Sequence, residues 1–157
     1  TKSQLTSLRK KTVDTAHLTL HVGPGTFVPI RAENFMEHKM QEEYFQVSPV
    51  NWNKITLAKK KGQAILAVGT TSTRVLETQR FEKKIRKKTS GWCNCFIYPG
   101  WEFSNVDHLL TNFHLPKSTL FLLACAFMGE KLAKKAYSEA IIRKYRFFSY
   151  GDAMLII

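Results

Sequence analysis

A chain of 157 residues, 44% of them hydrophobic, has the length and composition of one globular domain with a real core. Its 24 Lys and Arg against 12 Asp and Glu give a net charge of +12, which favours a polyanionic partner, nucleic acid before membrane. Three cysteines with one close pair, Cys93 and Cys95, exclude a disulfide framework and a four-ligand zinc site, and no apolar run approaches the ~20 residues of a membrane span.

Free thiols and the lack of an opening secretory signal lead us to expect a soluble, intracellular protein without a metal site. Residues 3–11 read as the tail of an amphipathic helix, with Leu5 and Leu8 on one face. No Met opens the chain and no strand precedes this helix, so the expectation is a start inside a larger protein. Residues 17–22 (HLTLHV) alternate as a half-buried strand ending in the sharp turn Gly23-Pro24-Gly25-Thr26-Phe27. His21, at the strand's end, is either a satisfied strand histidine or a proton carrier or substrate ligand. A short helical piece is expected over residues 33–40 and a short strand over 44–47. Ser48-Pro49 then gives an N-cap and a first-turn proline for a helix running to Lys61 and Gly62, with Trp52, Ile55 and Ala58 on one face.

Residues 64–68 (AILAV) form a continuous apolar run of buried parallel-strand type. They feed directly into Gly69-Thr70-Thr71-Ser72-Thr73-Arg74, which opens a helix through Gln79. Small hydroxyl residues at a helix N-terminus, with an Arg beside them, suit an anion or a ribose, although the Lys and spaced glycines of a Walker loop are missing. The alternative is a capped helix with an exposed Arg74. The cluster at 82–88 (EKKIRKK) reads as a solvated helix end or loop. A short strand over 96–98 runs into the turn signal Pro99-Gly100, and Trp101 and Phe103 beyond it suit base stacking or a core equally well. Residues 109–113 read as a buried strand. A polar elbow follows, bearing Asn112, His114, Pro116, Lys117, Ser118 and Thr119, and then the apolar helix 120–128 closed by Gly129. Strand, elbow and helix in that order place functional groups at the carboxyl end of a sheet; the alternative is that Ser118 or Thr119 merely caps the helix. An amphipathic helix from Leu132 to Ile141 carries Lys131, Lys134, Lys135, Arg143 and Lys144 on its other face, and a last apolar strand covers 153–157. Strands alternating with helices predict an α/β domain on a mostly parallel sheet. A full eight-unit barrel needs about 250 residues, so this chain supplies part of one, or forms an open sheet.

Four stretches carry a resemblance: LTLHVGPGTFVPI (18–30), AVGTTSTRVLET (67–78), FIYPGWEFSNVDHLLTNFHLPKSTL (96–120) and YRFFSYGDAMLI (145–156). In this order they resemble the S-adenosylmethionine:tRNA ribosyltransferase-isomerases of queuosine biosynthesis, over nearly the whole chain. One departure is local. Where the family shows Met-His-Ser-Glu-aromatic, this chain has Met40-Gln41-Glu42-Glu43-Tyr44, so roles of that His and Ser do not carry over. The resemblance implies that residues 1–157 are the C-terminal part of a catalytic α/β-barrel domain, an incomplete parallel barrel, with the family's inserted β-barrel domain outside this chain.

The implied reaction transfers and isomerises the ribosyl part of S-adenosylmethionine onto 7-aminomethyl-7-deazaguanine at the tRNA wobble position. Epoxyqueuosine forms, and adenine and methionine leave. S-adenosylmethionine is consumed as a substrate, and no metal or other cofactor is implied. The partners are then a tRNA carrying the precursor base and S-adenosylmethionine, acting on a cytoplasmic monomer with no membrane. A sulfonium acidifies its neighbouring methylene, so a modest base suffices; His114 and His21 are expected to move protons, as groups that titrate near neutrality at strand ends. Asp152 is expected to orient an amine or the sulfonium. Thr70, Thr71 and Arg74 would hold ribose hydroxyls, a carboxylate or a phosphate, and Tyr98 and Asn112 would add hydrogen bonds. Lys83, Lys84, Arg86, Lys87, Lys134 and Lys135 are the expected tRNA contacts. The competing reading is a non-catalytic tRNA- or RNA-binding remnant of the enzyme.

Overall fold

The computed structural model describes residues 1–26, 29–30, 34–79 and 89–157. Their elements, in order, are α1 (Lys2–Lys10), β1 (Thr19–Leu20), β2 (Glu43–Gln46), α2 (Pro49–Lys60), β3 (Leu66–Val68), α3 (Thr70–Thr78), β4 (Ser90–Cys93), β5 (His108–Asn112), α4 (Thr119–Met128), α5 (Glu130–Ile142) and β6 (Ala153–Ile156). The strands form two three-stranded sheets, ordered β1-β2-β4 and β3-β5-β6. The α/β class holds, as a mixed fold. Parallel pairing is confined to β3 and β5; β6 runs antiparallel to β5, and the other sheet is antiparallel throughout. The connection explains the reversal beside β5. Two helices packed on each other, α4 and α5, follow that strand, so the chain re-enters the sheet from the end it left.

Local signals set the helices. Ser48 accepts a hydrogen bond from the Asn51 amide at 3.2 Å with Pro49 in the first turn of α2, and Ser118 accepts one from the Phe121 amide at 3.1 Å at the start of α4. Gly129 stops α4 with φ at +82°, where a side chain would be strained. Pro116 lies ahead of the α4 cap, in the turn. Gly69, at φ +91°, makes the bend from β3 into α3, and its amide donates to the Leu110 carbonyl at 2.8 Å, tying the bend to β5.

Several expectations shift. The strand expected over 17–22 pairs only at Thr19 and Leu20, opposite Gln46 and Phe45. The helical piece expected over 33–40 is a single 3-10 turn at Phe35–Glu37, capped by Asn34, with Glu33 outside the described residues. Residues 96–98 are not a strand; the pairing segment lies earlier, at Ser90–Cys93, where Trp92 and Gly91 face Tyr44 and Phe45. Residues 64–68, expected to be buried on both faces, bury Ala67 but leave Leu66 46% and Val68 63% exposed. The opposite face of that sheet carries Leu109 and Ile156 into the main core with Val75, Leu76, Ile97 and Leu123. A smaller aromatic cluster gathers Phe113, Tyr137, Phe121 and Phe147 beneath the 112–118 elbow. No helix among the described residues is long and apolar enough to cross a membrane.

Candidate functional site

Three separate segments meet at Thr26. Its hydroxyl donates to Glu43 Oε1 at 2.6 Å and accepts from Arg74 Nη1 at 3.0 Å, while its carbonyl accepts from the Thr119 hydroxyl at 3.2 Å. Arg74 Nη1 also reaches Glu43 Oε2 at 2.6 Å, Arg74 Nε donates to the Cys95 carbonyl, and the Gly23 amide donates to Glu43 Oε1 at 2.9 Å. One carboxylate and one guanidinium therefore lock the 23–26 turn against β2 and α3, and the Thr119 hydroxyl ties the start of α4 to the same turn. A further strut runs from the Ile30 amide to the Lys117 carbonyl at 2.9 Å, with Lys117 at φ +60°. The expectation that Arg74, if not bound to a ligand, would be exposed is corrected: it is 2% exposed. Its Nη2 is sealed from water and has no partner among the described residues.

Burial of this polar face follows from helical periodicity. Thr70, Thr73, Arg74 and Glu77 fall at i, i+3, i+4 and i+7 on α3, and all four are buried. Glu77 Oε1 accepts the amides of Asn105 and Val106 at 2.9 and 3.1 Å; Oε2 accepts the Ser104 amide at 3.1 Å and the Trp101 indole N–H at 3.4 Å. Asn105 in turn donates to the Leu76 and Gln79 carbonyls at the end of α3. Glu43, Glu77, Thr26 and Asn105 are the residues that reading the chain in order passed over. The period of two along β2, which puts Glu43 on the same face as Phe45, and the α3 face just described are the signals that reveal them.

The elbow is built on β5. His114 is buried; its Nε2 lies 2.9 Å from the Thr111 hydroxyl, and its amide donates to the Tyr137 hydroxyl at 3.1 Å. Burial pushes its imidazole down to about 4, away from the neutral range expected of it, so the ring is uncharged at physiological pH. Burial also pushes the Tyr137 phenol up to about 12. His21 differs. It is exposed at the end of β1, its amide donating to the Tyr44 carbonyl at 2.8 Å and its ring 5.9 Å from that of Tyr44.

The remaining expected residues separate into groups. Thr70 is buried and Thr71 half-buried at the start of α3, where Gly69 offers no capping side chain. Asn112 Nδ2 donates to the Asp152 carbonyl at 3.1 Å, bringing those two together. The Asp152 carboxylate is occupied by Arg146, through the side chain at 3.1 and 3.2 Å and the backbone amide at 2.6 Å, and the Arg146 side chain holds it below the usual carboxylate range. Tyr98 is half-buried, its ring 5.6 Å from Phe35 and 5.2 Å from Phe96. It lines a cleft of about 190 Å³ with Gly100, Trp101 and Glu102. A second cleft, about 350 Å³ between Arg9, His17, Asn51 and Lys54, includes none of the expected residues. Lys134 and Lys135 are exposed on α5; Lys83, Lys84, Arg86 and Lys87 lie outside the described residues.

Comparison with known proteins follows the same segments. The family model described as "Queuosine biosynthesis protein" matches residues 1–156. The S-adenosylmethionine:tRNA ribosyltransferase-isomerase of Halothermothrix orenii is 52% identical over 153 residues, covering 98% of this chain and 45% of that protein. The enzyme of that name from Clostridioides difficile is 48% identical over 156 residues, covering 99% and 46%. The crystal structure of S-adenosylmethionine tRNA ribosyltransferase from Thermotoga maritima superposes with a TM-score of 0.78 at 40% identity, covering 100% of this chain and 49% of that one. The chain spans about half the length of the curated relatives it matches.

Proposed function

Since the chain belongs to the queuosine biosynthesis protein family, we propose that it supplies one half of an S-adenosylmethionine:tRNA ribosyltransferase-isomerase. The reaction is transfer and isomerisation of the ribosyl moiety onto 7-aminomethyl-7-deazaguanine at the tRNA wobble position, yielding epoxyqueuosine, adenine and methionine. It takes place in the cytoplasm on a monomer and calls for no cofactor beyond the consumed S-adenosylmethionine. The observation that supports this reading most is the convergence on Thr26 of three segments far apart in sequence. Bare RNA affinity does not require a buried ion pair to fix two polar turns against each other.

Proton movement divides between two histidines in this reading. His21, exposed on the turn side, carries protons between the substrates and water. His114, neutral and held by Thr111, presents a fixed hydrogen-bonding ring on the elbow side, beside Asn112. Thr70 and Thr71 receive sugar hydroxyls or an anionic group at the start of α3. Arg74 fixes the turn through Glu43, and Asp152 fixes the loop carrying Arg146. The exposed lysines of α5 meet tRNA phosphates.

The test is incubation of the complete gene product with S-adenosylmethionine and tRNA bearing the aminomethyl base. Stoichiometric adenine and methionine release, with the matching mass gain on the wobble nucleoside, is the expected outcome. RNA binding without release would favour the binding remnant instead. The 157-residue chain by itself is expected not to turn over.

A further inference from the structure

Among the described residues, Thr12, Lys117, Lys144 and Phe148 take a left-handed backbone without being glycine, at φ between +57° and +61°. Two of them are explained by the helices they end. Thr12 and Lys144 each follow a C-cap, and the next residue closes the turn: Val13 amide to Leu8 carbonyl at 3.1 Å, Tyr145 amide to Ala140 carbonyl at 2.8 Å. The other two end no α-helix, and they grip one stretch of chain. The Lys117 carbonyl accepts from the Ile30 amide, and the Phe148 amide donates to the Phe113 carbonyl, both at 2.9 Å. Backbone strain is thus gathered at the two ends of the elbow that carries His114, and strain of this kind collects where a fold holds working groups in place. Lys117 is the odder of the pair. In Leu115-Pro116-Lys117-Ser118 a positive φ follows proline, the pattern of a type II turn, whose third position calls for Gly or Asn. What the fold draws from position 117 is backbone alone. Glycine would offer the same carbonyl to Ile30, and the turn is bridged by the Ser118 hydroxyl, which donates to the Leu115 carbonyl at 2.7 Å. The lysine side chain is exposed, and its ammonium has no ion pair or hydrogen bond among the described residues. The chain carries here a side chain that strains the turn and holds nothing in the fold.

We propose that Lys117 is a substrate-binding residue, whose ammonium receives an anionic oxygen group beside the elbow. An ammonium offers three donors and no acceptor, so its ligand is an acceptor, and a negatively charged one gains most from it. The net charge of +12 draws such ligands to the surface. The turn adds stiffness. Pro116 fixes the backbone on one side and the Ser118 cap of α4 on the other, so the stem of Lys117 starts from a set position and less order is lost on binding. That accounts for a lysine where glycine would fit the backbone better: the strain is tolerated for what the side chain meets outside the fold. In the reaction proposed above, on which this assignment rests for its ligands, two groups share the required chemistry. They are a phosphate of the tRNA and the carboxylate of S-adenosylmethionine.

The experiment compares the complete gene product with Lys117→Gly, which removes the charge and the strain, and Lys117→Gln, which removes the charge alone. Urea midpoints, turnover, and equilibrium binding of tRNA and of S-adenosylmethionine are measured on the same preparations. Lys117→Gly should have a urea midpoint level with the native protein or above it. Both variants should nevertheless lose about tenfold or more in kcat/KM. A lysine that merely supported the fold would lower midpoint and activity together. Weakened tRNA binding with a shallower dependence on salt identifies the phosphate; weakened S-adenosylmethionine binding alone identifies the carboxylate. Loss in Lys117→Gly with Lys117→Gln within threefold of native would mean that the stiffness of the turn matters and the charge does not, which overturns the proposal. So would a lowered midpoint in Lys117→Gly, or binding and turnover within threefold of native in both variants. Binding that depends on Lys117 without any turnover would leave the residue's role standing and refute the reaction; turnover indifferent to Lys117 would do the reverse.

Discussion

Arg74 and Glu43, 31 positions apart, meet at 2.6 Å with 3% and 1% of their side-chain surfaces exposed. Two charges taken this far out of water stabilise a fold only when their remaining donors and acceptors are satisfied. Here Gly23, Thr26 and Cys95 supply most of those partners. Removing one charge strands the other. Arg74→Met and Glu43→Met should each cost about 3–5 kcal/mol of unfolding free energy, and the double variant clearly less than the sum. Urea denaturation of the four proteins measures it; additive losses would mean that the two groups do not act as a pair.

The depressed imidazole of His114 gives a pH signature. Its folded value of about 4 lies below the unfolded value of 6.5, so the unfolded chain takes up the proton first as pH falls. Stability is whole above about pH 6.5 and is lost progressively down to about pH 4, by about 3 kcal/mol. His114→Gln, which keeps a hydrogen-bonding partner for Thr111, should remove that component. Urea midpoints at pH 7 and pH 4.5 test it, and an NMR titration should show the His114 ring unchanged between pH 5.5 and 8.

Glu77 holds a loop by its backbone. Three consecutive amides, those of Ser104, Asn105 and Val106, end on its carboxylate. Glu77→Gln turns one acceptor oxygen into a donor facing a donor. A loss of about 2–3 kcal/mol should follow, with faster hydrogen exchange at those three amides. Exchange that stays slow would show that another group holds the loop.

For RNA, the readout is salt. Lys134 is 3.8 Å from Glu130 but 76% exposed, and so remains available to a phosphate. Neutralising Lys134 and Lys135 should reduce the slope of log binding constant against log salt by about 0.7–0.9 per lost contact. An unchanged slope in tRNA binding titrations would take α5 out of the interface.

The helices were the most legible part of this chain, because their signals are local. Ser48-Pro49, Ser118 and Gly129 announce the ends of α2 and α4 without reference to the rest of the fold. Strand pairing is not local. Nothing in residues 90–93 marks Ser-Gly-Trp-Cys as a better partner for β2 than the more apolar residues 96–98, since the register is decided by Glu43, Tyr44 and Phe45 across the sheet. The candidate site divides in the same way. The elbow and the α3 opening stood out as strand-to-helix bends, whereas Arg74 became a buried cation only once Glu43 arrived from another sheet. The shift in His114 likewise comes from burial, which its neighbours in sequence do not announce and which brings the Tyr137 hydroxyl of α5 against its amide.

The sheet β3-β5-β6 has a face with the make-up of an interior. Leu66, Val68 and Leu155 point away from the core, and both outer strands, Leu66–Val68 and Ala153–Ile156, lack charged residues. Edges of this kind recruit further strands, since nothing on them repels a neighbour. The handling properties of the isolated chain follow directly. Its high net charge favours dispersal at low salt, and salt that screens the charge should bring on self-association through that bare sheet. Colloidal behaviour, usually treated as a nuisance of preparation, here reports on a surface whose chemistry is that of a core.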